Sequence, residues 1–128
     1  MPKRAKFRRT LEDILHGLSE DLFPAELGKA PVTINSRSSD GDTALHFVVR
    51  EGDAHAVKML IEAGADVNAI GDMSETPLHV ALRKEDLALA TALVEAGASG
   101  NIVSEFNQTP MDIAIDLGGS FKRLMVER

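Results

Sequence analysis

The sequence predicts an all-α protein, a solenoid of stacked helix-turn-helix units. One phrase recurs every 33 residues, reading TALH at 43–46, TPLH at 76–79 and TPMD at 109–112. After each copy, apolar residues recur at i, i+3 and i+4, which is the pattern of a helix with one buried face. A fixed period of this length is the signature of a repeat architecture.

Each phrase predicts the start of a helix. Thr76 is suited to the N-cap, because its hydroxyl can accept a hydrogen bond from a backbone N–H of the first helical turn. Pro77 then takes the first helical position, where the missing N–H costs nothing. Leu78, Ala81 and Leu82 follow with the spacing of one apolar face.

A second helix follows the first in each unit. Gly64 and Gly97 come just after this second helix, at the place where a left-handed residue commonly ends one. Helices of about ten residues are marginal alone in water, so each unit must stack on its neighbours. The residues that define the apolar face of this helix are Ala56, Val57, Leu60 and Ile61 in one unit and Ala90, Leu93 and Val94 in the next.

Two positions require an unusual backbone. Gly52 is suited to the turn between the helices of one unit, but Glu85 stands 33 residues later, which predicts an altered turn there. Gly41 precedes Thr43 by two residues, where a positive φ is expected, and Ser74 and Asn107 replace it in later units. Because Asn tolerates the left-handed region better than Ser, we expect the middle loop to be looser.

The period divides the chain into units. Residues 1–9 form a basic tail expected to be flexible, and residues 10–128 form one domain. Within that domain 10–37 is a degenerate N-terminal capping repeat, 38–70 and 71–103 are full repeats, and 104–128 is a shortened C-terminal capping repeat. Leu11, Ile14, Leu15, Leu18 and Leu22 give the first cap its helical spacing.

Charge is unevenly distributed along the sequence. The net charge is −6, but the first nine residues carry +5, so the remaining 119 carry −11. An acidic body disfavours nucleic acid and anionic membranes as partners and favours a protein with a basic surface. The basic tail is either a nucleic-acid arm or nuclear address, or simply a solvated terminus. The absence of Cys excludes disulfides, and no apolar run is long enough to span a membrane.

The repeated phrase and its period resemble those of the ankyrin-repeat family, most clearly over residues 34–117. The resemblance implies a solenoid with projecting β-hairpin loops that is capped at both ends. It also implies that His46 and His79 are structural, hydrogen-bonding within and between neighbouring hairpins. Asp112 stands at the third equivalent position, so this network is expected to end there.

Sites for chemistry are not predicted. His46 and His79 could suggest a metal, but no Cys or third His completes a set of ligands. Asp40 and Asp42 are spaced like the start of a calcium loop, yet a helix begins at Thr43 instead of the remaining ligands. No motif of a hydrolase, a zinc protease or a nucleotide-binding loop is present, so no cofactor, no metal and no catalysis are expected.

The remaining candidate is a binding surface. In the family, partners usually meet the hairpin tips and the outward face of the first helices. Met73 and Phe106 correspond across one period, and they either form an apolar anchor within an acidic rim or fold back under their own hairpins. The tip residues carried over are Ser39, Asp40, Asp42, Asp72, Met73, Glu75, Glu105, Phe106 and Gln108, and those of the first helices are Arg50, Glu51, Arg83, Lys84, Asp116 and Leu117.

The sequence therefore predicts a noncatalytic, monomeric, cytoplasmic protein that binds another protein, one with a basic surface. Short acidic proteins of this family resemble inhibitors that neutralise a toxin, which suggests masking or inhibition as the role. The alternative is an adaptor that associates with nucleic acid through the basic tail.

Overall fold

The computed structural model describes residues 9–26 and 31–126. The expected flexible tail at 1–8 and the parts of the two capping repeats at 27–30 and 127–128 lie outside these residues. The described helices are α1 (Leu11–Gly17), α2 (Ser19–Leu22), α3 (Ala44–Glu51), α4 (Ala54–Glu62), α5 (Pro77–Arg83), α6 (Leu87–Glu95), α7 (Pro110–Leu117) and α8 (Gly119–Val126), with short 3₁₀ turns at Pro24–Glu26 and Asp72–Ser74.

Threonine caps begin the first helix of every unit, as predicted. Thr10, Thr43, Thr76 and Thr109 each form a capping box with the residue three positions later. In each capping box, the side chain of either residue accepts a hydrogen bond from the backbone N–H of the other residue. This satisfies two backbone donors at the helix N-terminus that have no partner within the helix. Two of the second helices, α4 and α6, are capped by aspartates that the sequence reasoning did not single out, Asp53 and Asp86.

The helices stack in two rows. The first helices α3, α5 and α7 pack in succession, and the second helices α4, α6 and α8 form a parallel row behind them. Apolar residues from both rows join one core, with Leu45, Leu60, Leu78 and Leu93 almost fully buried. The N-terminal α1 packs mainly against α4 and adds Ile14 to the core.

The turn between the two helices of a repeat contains a residue with positive φ, and this holds also for the turn that was expected to differ. Gly52 has φ 76° and Glu85 has φ 57°. The expectation of an altered turn at Glu85 is therefore wrong, because the glutamate adopts the conformation that glycine takes one repeat earlier. The positive φ expected two residues before the threonine cap is confirmed, with φ 96° at Gly41, 58° at Ser74 and 62° at Asn107.

Substituting Glu85→Gly is expected to stabilise the protein by ~0.5–1 kcal/mol. The left-handed backbone costs a side-chain-bearing residue ~1–2 kcal/mol, and the extra freedom of glycine in the unfolded chain offsets part of that gain. Urea unfolding measures the difference. Lys84→Gly is the control, because Lys84 is right-handed at φ −77° and its replacement should destabilise. A less stable Glu85→Gly variant would contradict the account.

Candidate functional site

Three equivalent loops connect the units: loop 1 (37–42), loop 2 (70–75) and loop 3 (103–108). Each is closed by the same pair of backbone hydrogen bonds. In loop 1, Ser38 N–H donates to the Asp42 carbonyl at 2.8 Å and Gly41 N–H donates to the Ser38 carbonyl at 2.9 Å. The residues that the structure describes contain an isolated bridge between Arg37 and Thr43 but no strand. The expected hairpin loops therefore close as tight turns, with an antiparallel bridge instead of extended strands among the described residues.

Histidines tie loop 2 and loop 3 to the repeats before them. The ring Nδ1 of His46 accepts the Thr43 N–H at 3.1 Å, so the proton lies on Nε2, which donates to the Glu75 carbonyl at 2.9 Å. His79 repeats this arrangement with the Thr76 N–H at 3.0 Å and the Gln108 carbonyl at 3.0 Å. The structural role predicted for both histidines is confirmed.

Burial keeps these rings neutral. It lowers the pKa of His46 and of His79, and although hydrogen bonds to the loop carbonyls oppose that shift, burial outweighs them. In the third unit Asp112 accepts the Thr109 N–H at 3.0 Å. A carboxylate has no N–H to donate onward, so the histidine pattern stops there.

Asp42 joins loop 1 to loop 2. Its Oδ1 accepts the backbone N–H of Asp72 at 2.9 Å, and its Oδ2 lies 3.2 Å from Arg50 Nη2. Gly71 makes this approach feasible, because a Cβ at that position would lie 2.3 Å from Asp42 Oδ1 and 2.8 Å from His46 Nε2. The buried Asp42 side chain thus fixes two loops and one helix relative to each other.

Glu75 occupies the equivalent position in loop 2. It is also buried, and its carboxylate pairs with Arg83 as Asp42 pairs with Arg50. Asp42 and Glu75 were expected at the exposed tips, and that placement is wrong. Burial of each acid is compensated by an arginine from the helix that follows, whose side chain remains partly exposed.

Loop 2 and loop 3 are joined differently. The Glu75 side chain is engaged by Arg83, and the N–H of Glu105 donates instead to the backbone carbonyl of Met73 at 2.9 Å. Met73 lies in the left-handed region at φ 60° and ψ 22°, which is costly for a residue with a side chain. The structure therefore holds Met73 in a strained conformation at the junction of the two loops.

The residues that remain on the surface form a smaller set than expected. Met73 is 46% exposed and Phe106 is 54% exposed, so the alternative in which they fold back under their own loops is wrong. The sequence reasoning missed Ile70 and Val103, which are 51% and 54% exposed. The other predicted residues fall into two groups. The exposed ones are Ser39, Asp40, Arg50, Glu51, Arg83, Lys84, Glu105 and Asp116, and the half-buried ones are Asp72, Gln108 and Leu117.

Comparison with known proteins agrees with this architecture. Residues 21–104, more than half of the chain, match the family model for ankyrin repeats in three copies. The chain belongs to the ankyrin-repeat family. Human ankyrin repeat domain-containing protein 31 is 54% identical to it over 35 residues, which is 27% of this chain and 2% of the length of that relative.

Ankyrin repeats are in general noncatalytic protein–protein interaction modules. The polar groups inside this ankyrin stack are used for structure, since each buried side-chain nitrogen or oxygen among the described residues has a hydrogen-bond partner. No cluster of three or more potential metal ligands occurs in residues 9–26 and 31–126. Within the same ranges, no helix has the length and hydrophobicity needed to cross a bilayer.

Proposed function

We propose that this ankyrin-repeat protein binds another protein that presents a basic surface, and that this binding masks or inhibits its partner, as a toxin-neutralising protein does. The contact surface consists of the exposed residues of loops 1–3 and of the neighbouring ends of α3, α5 and α7. The observation that carries the proposal is the exposure of Met73 and Phe106 beside Asp72 and Glu105. Apolar side chains within a charged rim are the usual anatomy of a protein interface.

Electrostatics supports a basic partner. Asp40, Asp72 and Glu105 lie on the three loops in succession. Arg50 and Arg83 of the first helices pair with Asp42 and Glu75, so their charge is locally balanced. Complementary charge steers association and sets specificity more than it sets raw affinity.

The proposal predicts a salt-dependent complex. A pull-down with the intact chain identifies the partner, which is then purified and titrated against the triple variant Asp40→Lys, Asp72→Lys, Glu105→Lys. We expect binding at least about tenfold weaker at low salt, with a flatter dependence on salt, because exposed charges are screened over ~10 Å at 0.1 M.

The matched control is the triple variant Glu20→Lys, Glu62→Lys, Glu95→Lys. These exposed acids lie on α2, α4 and α6, outside the loops, and their replacement changes the net charge equally. Equal affinity and equal salt dependence for the two triple variants would refute the acidic-loop proposal.

A nucleic-acid adaptor is the second candidate, and the +5 charge of residues 1–9 favours it. Within the described part of that segment, Arg9 already pairs with Asp53 at 2.7 Å. Burial opposes the negative form of Asp53, but the hydrogen bonds from Arg9 and from the Ala56 N–H outweigh it and lower the pKa of this carboxyl. Binding of duplex DNA by the intact chain, lost on deletion of residues 2–8, would favour the adaptor.

A further inference from the structure

Exposed apolar side chains are concentrated on two of the three loops. In the part of the chain that the structure describes, seven large apolar residues are exposed, and Ile70, Met73, Val103 and Phe106 are four of them. Ile70 and Val103 occupy the first position of loops 2 and 3, and Met73 and Phe106 occupy the fourth. Both loops therefore carry an exposed apolar residue at the first position and another at the fourth. This repeated placement distinguishes them from apolar residues scattered singly over a surface.

Loop 1 interrupts this pattern. Its first and fourth residues are Arg37 and Asp40, one cation and one anion. The guanidinium of Arg37 is engaged, since Nη1 donates to the Gly41 carbonyl at 2.7 Å and to the Ile70 carbonyl at 2.8 Å. The apolar patch is therefore two loops wide, and loop 1 borders it.

The backbone under the patch is held in place. Glu105 N–H donates to the Met73 carbonyl at 2.9 Å, and the Ser104 hydroxyl accepts the Phe106 N–H at 3.1 Å. His79 fixes loop 3 through the Gln108 carbonyl. A surface already ordered before binding loses less conformational entropy when the partner arrives.

We infer that Ile70, Met73, Val103 and Phe106 form an apolar anchor for a polypeptide segment that carries apolar side chains next to Lys or Arg. The apolar side chains contact Met73 and Phe106, and the cations pair with Asp72 and Glu105, which directly precede those two residues in the chain. Loop 1 borders this anchor and adds no apolar side chain to it. This inference rests on the proposed protein-binding function and specifies the chemistry of the partner.

Charge argues against other occupants of the patch. Asp72 and Glu105 would repel the phosphates of a nucleic acid or an anionic membrane. A second copy of this chain on the same patch would bring like carboxylates together, because a two-fold interface places the same surface on both sides. The carboxylates of Asp72 and Glu105 attract a basic segment, whereas they repel these other occupants.

The test uses a phage-displayed library of random dodecapeptides selected on the intact chain. We expect the selected peptides to combine apolar residues with Lys or Arg. The double variant Met73→Asn, Phe106→Ser should bind them at least about tenfold more weakly. Asn tolerates the left-handed backbone of position 73, so this change removes the apolar side chain with little cost to the loop. Matching thermal unfolding of the variant and the wild type checks that the fold is retained.

Leu87→Asn with Val126→Ser is the matched control, because these exposed apolar residues lie on α6 and α8, outside the loops, and the change should alter affinity by less than about twofold. Selected peptides without apolar and basic residues, equal binding by the anchor variant, or failure to select any binder would overturn the inference. A captured protein whose binding is lost in the Asp40, Asp72, Glu105 triple variant but kept in the anchor variant would uphold the proposed function and overturn the anchor. A concentration-dependent dimer abolished by the anchor variant would identify a second copy as the occupant and also overturn it.

Discussion

Replacing Gly71 with alanine is expected to destabilise the protein by ~3 kcal/mol, at the upper end of the usual cost of overpacking. The new Cβ would lie 2.3 Å from Asp42 Oδ1 and 2.8 Å from His46 Nε2. Neither atom can retreat cheaply, because Asp42 is held by the Asp72 N–H and by Arg50, and His46 by Thr43 and Glu75. Urea unfolding with linear extrapolation measures the loss.

Gly17→Ala is the matched control for Gly71→Ala. No atom lies within 4 Å of a Cβ added at Gly17, at the end of α1. Alanine there should be neutral or stabilise by up to ~1 kcal/mol, since glycine is a poor helix former. Gly71 itself has φ −112°, so a left-handed backbone is not the cause, and the predicted loss is assigned to the collision. Equal stability of the two variants would show that loop 2 can shift without cost.

Much of this fold follows from the sequence because the signals are local. The N-cap Thr76 and its hydrogen-bond partner are only three positions apart. The apolar residues that form the buried face of each helix also recur within one short segment. The need for glycine at position 71 is different in kind. The atoms that exclude a side chain belong to Asp42 and His46 of the previous repeat, and sequence spacing does not show how closely two repeats approach.

The candidate surface was harder to predict for the same reason. Asp42 and Glu75 were carried over to the tips from the family's binding positions, but acidic residues can be buried where a partner is present. Their partners lie eight residues ahead, at Arg50 and Arg83, and only the turn of each helix brings them back. The shared spacing of these two pairs was a usable signal, and so was the recurrence of Ile70 as Val103.

Replacing His79 with phenylalanine is expected to destabilise the protein by ~3 kcal/mol. Phenylalanine keeps an aromatic ring at this position, but the Thr76 N–H loses its acceptor and the Gln108 carbonyl loses its donor. Each buried polar group left unpaired costs ~1–3 kcal/mol, and the loop carbonyl is only partly buried. Asp112→Phe is the matched control because it stands at the same position of the next repeat and is exposed, so it should lose only ~1 kcal/mol of capping.

The same substitution tests why the stack should be sensitive to acid. Burial lowers the pKa of His46 and His79 below the 6.5 of the unfolded chain, so the unfolded state takes up protons first as the pH falls. Stability is complete above pH 6.5 and declines below it, by at most ~1.4 kcal/mol per pH unit for each histidine, until the folded rings protonate. Asp13 and Asp53, whose pKa values are lowered, affect stability in a different pH range. The stability that these carboxylates contribute is lost only as the pH falls below 3.8. In His79→Phe the decline below pH 6.5 should therefore be shallower than in the wild type, because one of the two buried rings is gone. An unchanged slope would mean that the neutral histidines are not what makes the folded stack sensitive to acid.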